Sequence, residues 1–417
     1  MRVLGAVALA AAFFASSAIA ASAQELAAIL PPCALGCMKS SLAEASCAPT
    51  DQECLCLDPG YTAALEECVM ATCTIRQSLV TKNVTTQGCH APIRDRTKVV
   101  SYTGVGGGII AFIAFVLRMI ARLKCCGGMF GMDDYTMILA MGLTVALSAL
   151  SVVLADAGLG RDMWTIPLDN ITRILYIYFW DELMYLSILP LTKISICCFY
   201  LRIFPERRFR TVTYIMIGIN VCYLLVFVLI SVFQCLPVDG AWLHWDGEGN
   251  YKCNNINAQG WSSAIINMAL DILVMALPLR QLYHLNLSAR KKIYVMCMFS
   301  LGIFVTLVSI LRLRSLIVFA STENLSWDYV SVGYWSTVEC DVGIICACLP
   351  AIRSLLCRVL PGAFGDTNPS KPYGASSRSQ SRVDGKAHVQ IKNDNREFYP
   401  LEDIDHSSET ALGHHGA

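Results

Sequence analysis

Seven apolar runs, each parted from the next by a short polar stretch, occupy most of the chain between residues 99 and 352. They read as 99–123, 135–157, 174–204, 212–233, 261–279, 293–317 and 329–352. A helix needs about 20 residues to cross a hydrocarbon core of roughly 30 Å, and each run supplies that length. The third opens on Tyr176, Tyr178, Phe179 and Trp180 and closes on Arg202, Arg207, Arg208 and Arg210. Aromatic and basic residues at the ends of a span are interfacial anchors. The pattern predicts an all-α membrane protein, a seven-transmembrane helix bundle over 99–360.

Before the bundle the pattern changes twice. Arg2, an apolar run over 3–15 and the small-residue sites Ala18-Ile19-Ala20 and Ala21-Ser22-Ala23 make residues 1–23 a secretory signal peptide. The run is too short and alanine-rich for a first span. Residues 24–92 carry few large apolar side chains but eight cysteines: Cys33, Cys37, Cys47, Cys54, Cys56, Cys68, Cys73 and Cys89. In an exported segment an even count reads as a disulfide framework, with cross-links replacing a core that so short a stretch cannot build. Zinc ligation is the rival reading. Spacing leaves the pairing open, since eight cysteines allow 105 connectivities. Residues 74–97 read as a linker carrying a sequon at Asn83.

A chain 55% hydrophobic and 15% charged is too apolar for an ordinary soluble domain, and its zero net charge gives no reason to expect nucleic acid. Lysine and arginine gather in alternate loops: Arg118, Arg122 and Lys124; Arg202, Arg207, Arg208 and Arg210; Arg280, Arg290, Lys291 and Lys292. The remaining loops hold Arg161, Arg173 and Lys252. The positive-inside rule makes the first set cytoplasmic, the N-terminus extracellular and the C-terminus cytoplasmic. Arg94, Arg96 and Lys98 argue the other way, but an exported head overrides them. The expected location is the plasma membrane, with candidate glycosylation sites Asn83, Asn170 and Asn324 outside and the sequon at Asn286 inside, unused. In the longest outer loop Cys235 and Cys253 bracket Trp242, His244 and Trp245. A bridge there would close a lid over the bundle mouth, with the tryptophans as ligand contacts or interface anchors.

A charge at mid-bilayer costs about 2.5–3.5 kcal/mol on insertion scales, so it marks a partner or a function. The candidate intramembrane polar residues are Lys193, Asp271, Glu339 and Asp341, with Asp181, Glu182, Arg312 and Arg314 nearer the outer ends. Counting residues puts Lys193, Asp271 and Asp341 at similar depth. It predicts an ionic lock between Lys193 and Asp271 or Asp341, either rearranging on activation or static. Glu339 and Asp341 lie about 200° apart around a helix and cannot share a face. The seventh run holds no lysine for a Schiff base, so retinal is not expected.

The cysteine gaps of three, nine, six, one, eleven, four and fifteen residues resemble the CFEM module of fungal extracellular membrane proteins, as do the Pro31-x-Cys33-Ala34 opening and the Cys54-x-Cys56 pair. DDYTMILA at 133–140, KISICCFYLRIFP at 193–205 and FQCLPVDGAW at 233–242 are similar to pieces of the fungal rhodopsin-like seven-helix domain. So are DILVMALPLRQLYHLNLSARKKI at 271–293 and WSTVECDVGIICACLPAIRSLL at 335–356. Together the two regions resemble the CFEM-bearing class of G-protein-coupled-receptor-like proteins of filamentous fungi. The resemblance implies a receptor for an unidentified extracellular, host or surface ligand, with a heterotrimeric G protein docking at the basic inner rim. It also implies a haem or ligand platform, because haem-binding members use an aspartate just before the C-x-C as axial iron ligand. Asp51 holds that place; without haem it reads as a turn residue after Pro49.

Two other readings stand beside the receptor: a membrane-tethered haem-binding protein, and a transporter or membrane enzyme. No H-x-x-x-H cluster, P-loop or G-x-S-x-G occurs in a suitable context, so no enzyme is expected. Residues 361–417 read as a disordered cytoplasmic tail, with serines near Arg378 and Arg382 as candidate phosphorylation sites. Cys125, Cys126 and Cys357 are candidate palmitoylation sites or idle thiols.

Overall fold

The computed structural model describes residues 29–123, 129–283, 289–319, 322 and 324–359, with the backbone alone at 280–283, 289–299 and 301. The expected signal peptide, Lys124, Cys125, Cys126, Asn286 and the tail at 361–417 lie outside the described residues, as do the side chains of Arg280, Arg290, Lys291 and Lys292.

The head consists of α1 (Pro32–Ser41), α2 (Gln52–Leu57), α3 (Pro59–Thr72) and α4 (Ile75–Gly88). Pro32 and Pro59 open α1 and α3, where a missing N–H leaves no bond unmade. Asp58 caps α3, accepting the Gly60 N–H at 2.8 Å, and also accepts the Ser46 hydroxyl at 2.6 Å and the Ser46 N–H at 2.8 Å. The Ser46 hydroxyl, then these backbone donors, favour the carboxylate and hold Asp58 down at about 2.

The stretch read as a linker is largely helical. Thr74 and Gln77 form a capping box that starts α4, and Val84 buries beside Leu30 and Ala34. The bridges are Cys33–Cys73, Cys37–Cys68, Cys47–Cys54 and Cys56–Cys89. The first two staple α1 to α3 and its end, and the last ties α2 to the end of α4. Only small buried clusters sit between these helices, so the cross-links carry much of the constraint.

After the head come α5 (Thr97–Arg122), α6 (Met132–Ala157), α7 (Leu168–Ile203) and α8 (Arg207–Val232). The short α9 (Gly240–Leu243) is followed by α10 (Ile256–Tyr283), α11 (Ala289–Phe319) and α12 (Leu325–Val359). All but α9 are long and apolar enough to cross a membrane, and they are spans one to seven of a multi-pass membrane protein. Span three is the hub: 67% of its apolar window is buried, against 17–39% in the others. Leu186, Ile188, Leu189 and Cys197 on it join Leu147, Tyr223 and Leu270 from spans two, four and five in the main core.

Span one packs between spans two and seven because it is small-sided there. A Cβ on Gly108 would come within 2.6 Å of Ser148 Oγ, and one on Gly107 would overlap the Asp341 carboxylate. Between spans four and five, β1 (Cys235–Leu236) pairs antiparallel with β2 (Lys252–Cys253), and a disulfide joins Cys235 to Cys253 as expected.

Candidate functional site

Spans three, five, six and seven share one buried polar network. Lys193 Nζ sits 3.0 Å from Asp271 Oδ1 and donates to Asn267 Oδ1 at 2.6 Å. The Asn267 amide donates onward to Glu339 Oε1 at 3.0 Å and to Asp271 Oδ2 at 3.4 Å. Glu339 also accepts from Tyr185 Oη at 2.6 Å and from Ser309 Oγ. Arg312 Nε lies 3.0 Å from Glu339 Oε2 as an ion pair, and the guanidinium stacks 4.7 Å from the Tyr185 ring centroid. Two cations thus balance two carboxylates, with hydrogen bonds between them, as charges taken out of water require. A cavity of about 80 Å³ borders the Lys193–Asp271 pair, with Met275, Val305 and Cys346 on its apolar side.

Of the two partners expected for Lys193, the structure selects Asp271. Asp341 is 3% exposed, turns toward Gly107, and neither carboxylate oxygen has a hydrogen-bond partner among the described residues. Similar depth was not enough to join them, because the two side chains leave their helices toward different neighbours. Glu339 is fully buried and belongs to the network, opposite Arg312, which sequence counting placed near the span end. Asn267 was missed: a single asparagine in an apolar run carries no charge to draw attention.

A second cluster joins spans one and two at the end of the bundle away from the head. Arg118 donates to Asp134 Oδ1 at 3.0 Å, to Asp133 Oδ2 at 2.8 Å and to the Ala347 carbonyl of span seven at 2.6 Å. Arg122 reaches Asp133 Oδ2 at 2.7 Å, and Ser195 of span three donates to the Asp133 carbonyl at 2.6 Å. Arg118 is therefore not an exposed loop cation, as its place among the basic residues of the inner loops implied; it is 1% exposed. Paired acids at the start of one span beside two arginines four residues apart at the end of the preceding span are the signal that could have found it. Arg202 donates to the Met129 carbonyl at 3.0 Å beside the same cluster.

At the opposite end the head docks on the bundle mouth. Arg76 of α4 donates to Asp246 Oδ2 at 2.7 Å and lies 5.5 Å over the Trp245 ring, while Trp245 Nε1 donates to Thr172 at 3.0 Å. The Arg76 hydrogen bond, chiefly, lowers Asp246 below the usual carboxylate range. Arg94 and Arg96 sit 4.4 and 4.1 Å from the Trp327 ring centroid. Trp242 packs edge-on against Tyr176 at 5.1 Å and Phe179 at 5.5 Å. The two loop tryptophans thus hold the lid against span three.

The three sequons stand at this same end. Asn83 lies within α4, where Oδ1 accepts from Gln87 at 2.9 Å; Asn170 lies in the first turn of α7. Both ends of the Asn324 amide are engaged: Oδ1 accepts the Met163 N–H at 3.0 Å and Nδ2 donates to Asp162 at 2.8 Å. Asp51 is the N-cap of α2, accepting the Cys54 N–H at 3.0 Å through one oxygen. Its side chain is exposed and the other oxygen accepts no hydrogen bond among the described residues, leaving one hard donor of the kind ferric iron prefers. Among the described residues no three His, Cys, Asp or Glu groups converge as metal ligands.

Residues 117–358 match the fungal rhodopsin domain and residues 26–90 the CFEM domain. A "SAT4 family membrane protein" of Emericella nidulans is 32% identical over half of this chain and 52% of its own length. "Receptor GIN3" of Arthrobotrys oligospora is 24% identical over 66% of this chain and 68% of its own. "Fugralins biosynthesis cluster protein 2" of Gibberella zeae is 24% identical over 66% of this chain and 71% of its own. The chain thus spans about half the length of the first relative and about two thirds of the other two. No solved structure matches.

Proposed function

The chain belongs to the fungal rhodopsin domain family, whose match covers more than half of it, and from that premise we propose that it is a plasma-membrane receptor. Its head faces outward, and a ligand-dependent repacking of the spans is relayed to a heterotrimeric G protein at the far end. The observation that carries this reading is the physical continuity of the molecule from head to distal rim. The head is ion-paired to the lid, and the lid stacks on span three. Span three in turn holds Lys193 in the network that bonds spans five, six and seven. Such a relay works by population shift, provided the ligand binds one arrangement better than the other. The loops rich in lysine and arginine support this orientation, as do three sequons at the head end. A relative named as a receptor supports the functional class.

The test is co-purification of the intact protein with a fungal G-protein α subunit. A complex that forms without nucleotide and dissociates on adding a GTP analogue is expected. No complex, or one indifferent to nucleotide, removes the G-protein reading. A second reading, haem binding by the head, rests on the exposed Asp51 carboxylate. Haemin added to the full chain should give a shifted Soret band that Asp51→Ala abolishes; an identical band in the variant defeats it.

A further inference from the structure

A second cavity, of about 70 Å³, lies under the head between spans three, six and seven. Met163 and Ile166 form its roof, Ile174 and Tyr178 its span-three wall, and Phe319 and Tyr329 the side toward spans six and seven. Ser326 and the hydroxyls of Tyr178 and Tyr329 are the polar groups in the lining, and Ser326 already accepts the Gly160 N–H at 3.4 Å. Tyr329 points its hydroxyl away to Asp181 at 3.5 Å and stacks edge-on with Tyr178 at 4.8 Å. An occupant would find no charge to pair with, so a charged or strongly polar ligand would lose its hydration uncompensated. An apolar cavity of about 150 Å³ accommodates a benzene ring. This one has about half that volume, which suits the end of an aliphatic chain better than a ring.

The roof is held by the head and its neck. Arg94 pairs with Asp162, one residue before Met163, and Arg96 N–H donates to the Gly160 carbonyl at 2.8 Å. Lys82 of α4 lies 5.6 Å over the ring of Trp164. Beneath the floor, Asp181 is followed by Glu182, which accepts from Ser231 of span four at 3.1 Å and from Gln259 of span five at 3.3 Å. We propose that this cavity binds the end of an uncharged alkyl or isoprenyl chain, with access set by the head-anchored roof. As the ligand site of the receptor described above, the inference rests on that reading. Its test is a binding measurement that needs no signalling.

The full-length protein in phosphatidylcholine nanodiscs is irradiated with a diazirine-bearing decanol, and labelled peptides are mapped by mass spectrometry. Saturable labelling confined to 159–178 and 319–329 is expected, displaced by excess unlabelled decanol. Ile174→Trp, which fills the cavity, should lower it at least about tenfold, the equivalent of 1.4 kcal/mol. Met163→Trp, which fills it from the roof instead, guards against a folding defect in the first variant and should act the same way. Labelling that never saturates and equals that of the lipid-facing Leu225 and Leu229 of span four would mark ordinary bilayer contact and overturn the proposal. So would saturable labelling that neither variant reduces. Saturable labelling without any G-protein complex would instead keep the site and remove the G-protein reading.

Discussion

Glu339 and Asp341 stand two residues apart on span seven and occupy opposite electrostatic settings. Glu339 accepts from Tyr185, Asn267 and Ser309 and faces Arg312. Both Asp341 oxygens are buried against span one with no hydrogen-bond partner among the described residues. Identical chemistry at nearly the same depth should therefore respond oppositely to neutralisation. Glu339→Gln leaves Arg312 buried without its counter-charge and should destabilise the protein by about 3–5 kcal/mol. Asp341→Asn removes an uncompensated carboxyl and should leave the melting temperature in nanodiscs unchanged or raise it. A large drop for Asp341→Asn would show that this carboxyl has a partner.

The Lys193–Asp271 pair should behave as a unit. Lys193→Met or Asp271→Asn alone leaves one charge stranded in the core and should cost about 3–5 kcal/mol. The double variant, with both charges gone, should recover to within about 1 kcal/mol of the parent, a coupling read from a double-mutant cycle of unfolding midpoints. Additive losses would mean that the two side chains do not depend on each other.

Acid should loosen the head in two stages. Asp246 titrates below its unfolded value because Arg76 donates to its charged form. The contribution of that contact is complete above the unfolded pKa of about 4 and is lost as pH falls through the folded value. Asp58, held at about 2, follows the same sign and keeps its Ser46 and Gly60 bonds to lower pH. Hydrogen exchange on the intact protein should therefore rise first in the lid at 235–253 and only later around 46–61. Arg76→Gln should abolish the first stage and leave the second.

Two glycines should part company on conversion to alanine. Gly160 has φ near +102°, and a Cβ there would meet the Arg96 carbonyl carbon and the Thr97 nitrogen at 2.9 Å. Gly160→Ala should cost about 1–3 kcal/mol and expose the neck at 93–98 to proteases. Gly142, inside α6, has nothing within 4 Å of its missing Cβ. Gly142→Ala should stabilise by about 0.5–1 kcal/mol, the helix gain alone. Equal effects at both positions would refute the close approach of the roof loop to the neck.

The one-dimensional pattern was sufficient for the count and order of the spans, the cysteine head and the lid bridge. Each of these depends on local quantities: runs of apolar residues, spacing along the chain, composition. The helix over 75–88 was hidden because its polar threonines and asparagine mask a start signal, Thr74 with Gln77, that the structure makes plain. What only the tertiary structure decided was direction around each helix. Each residue turns the side chain by about 100°, so a count along the chain gives depth but not the neighbour it meets. That is why Lys193 finds Asp271 and Asn267, why Asp341 is left against Gly107, and why Arg118 is buried between Asp133 and Asp134. Pairing among buried charges depends on helix rotation and packing distance, and both are set by contacts between segments far apart in sequence.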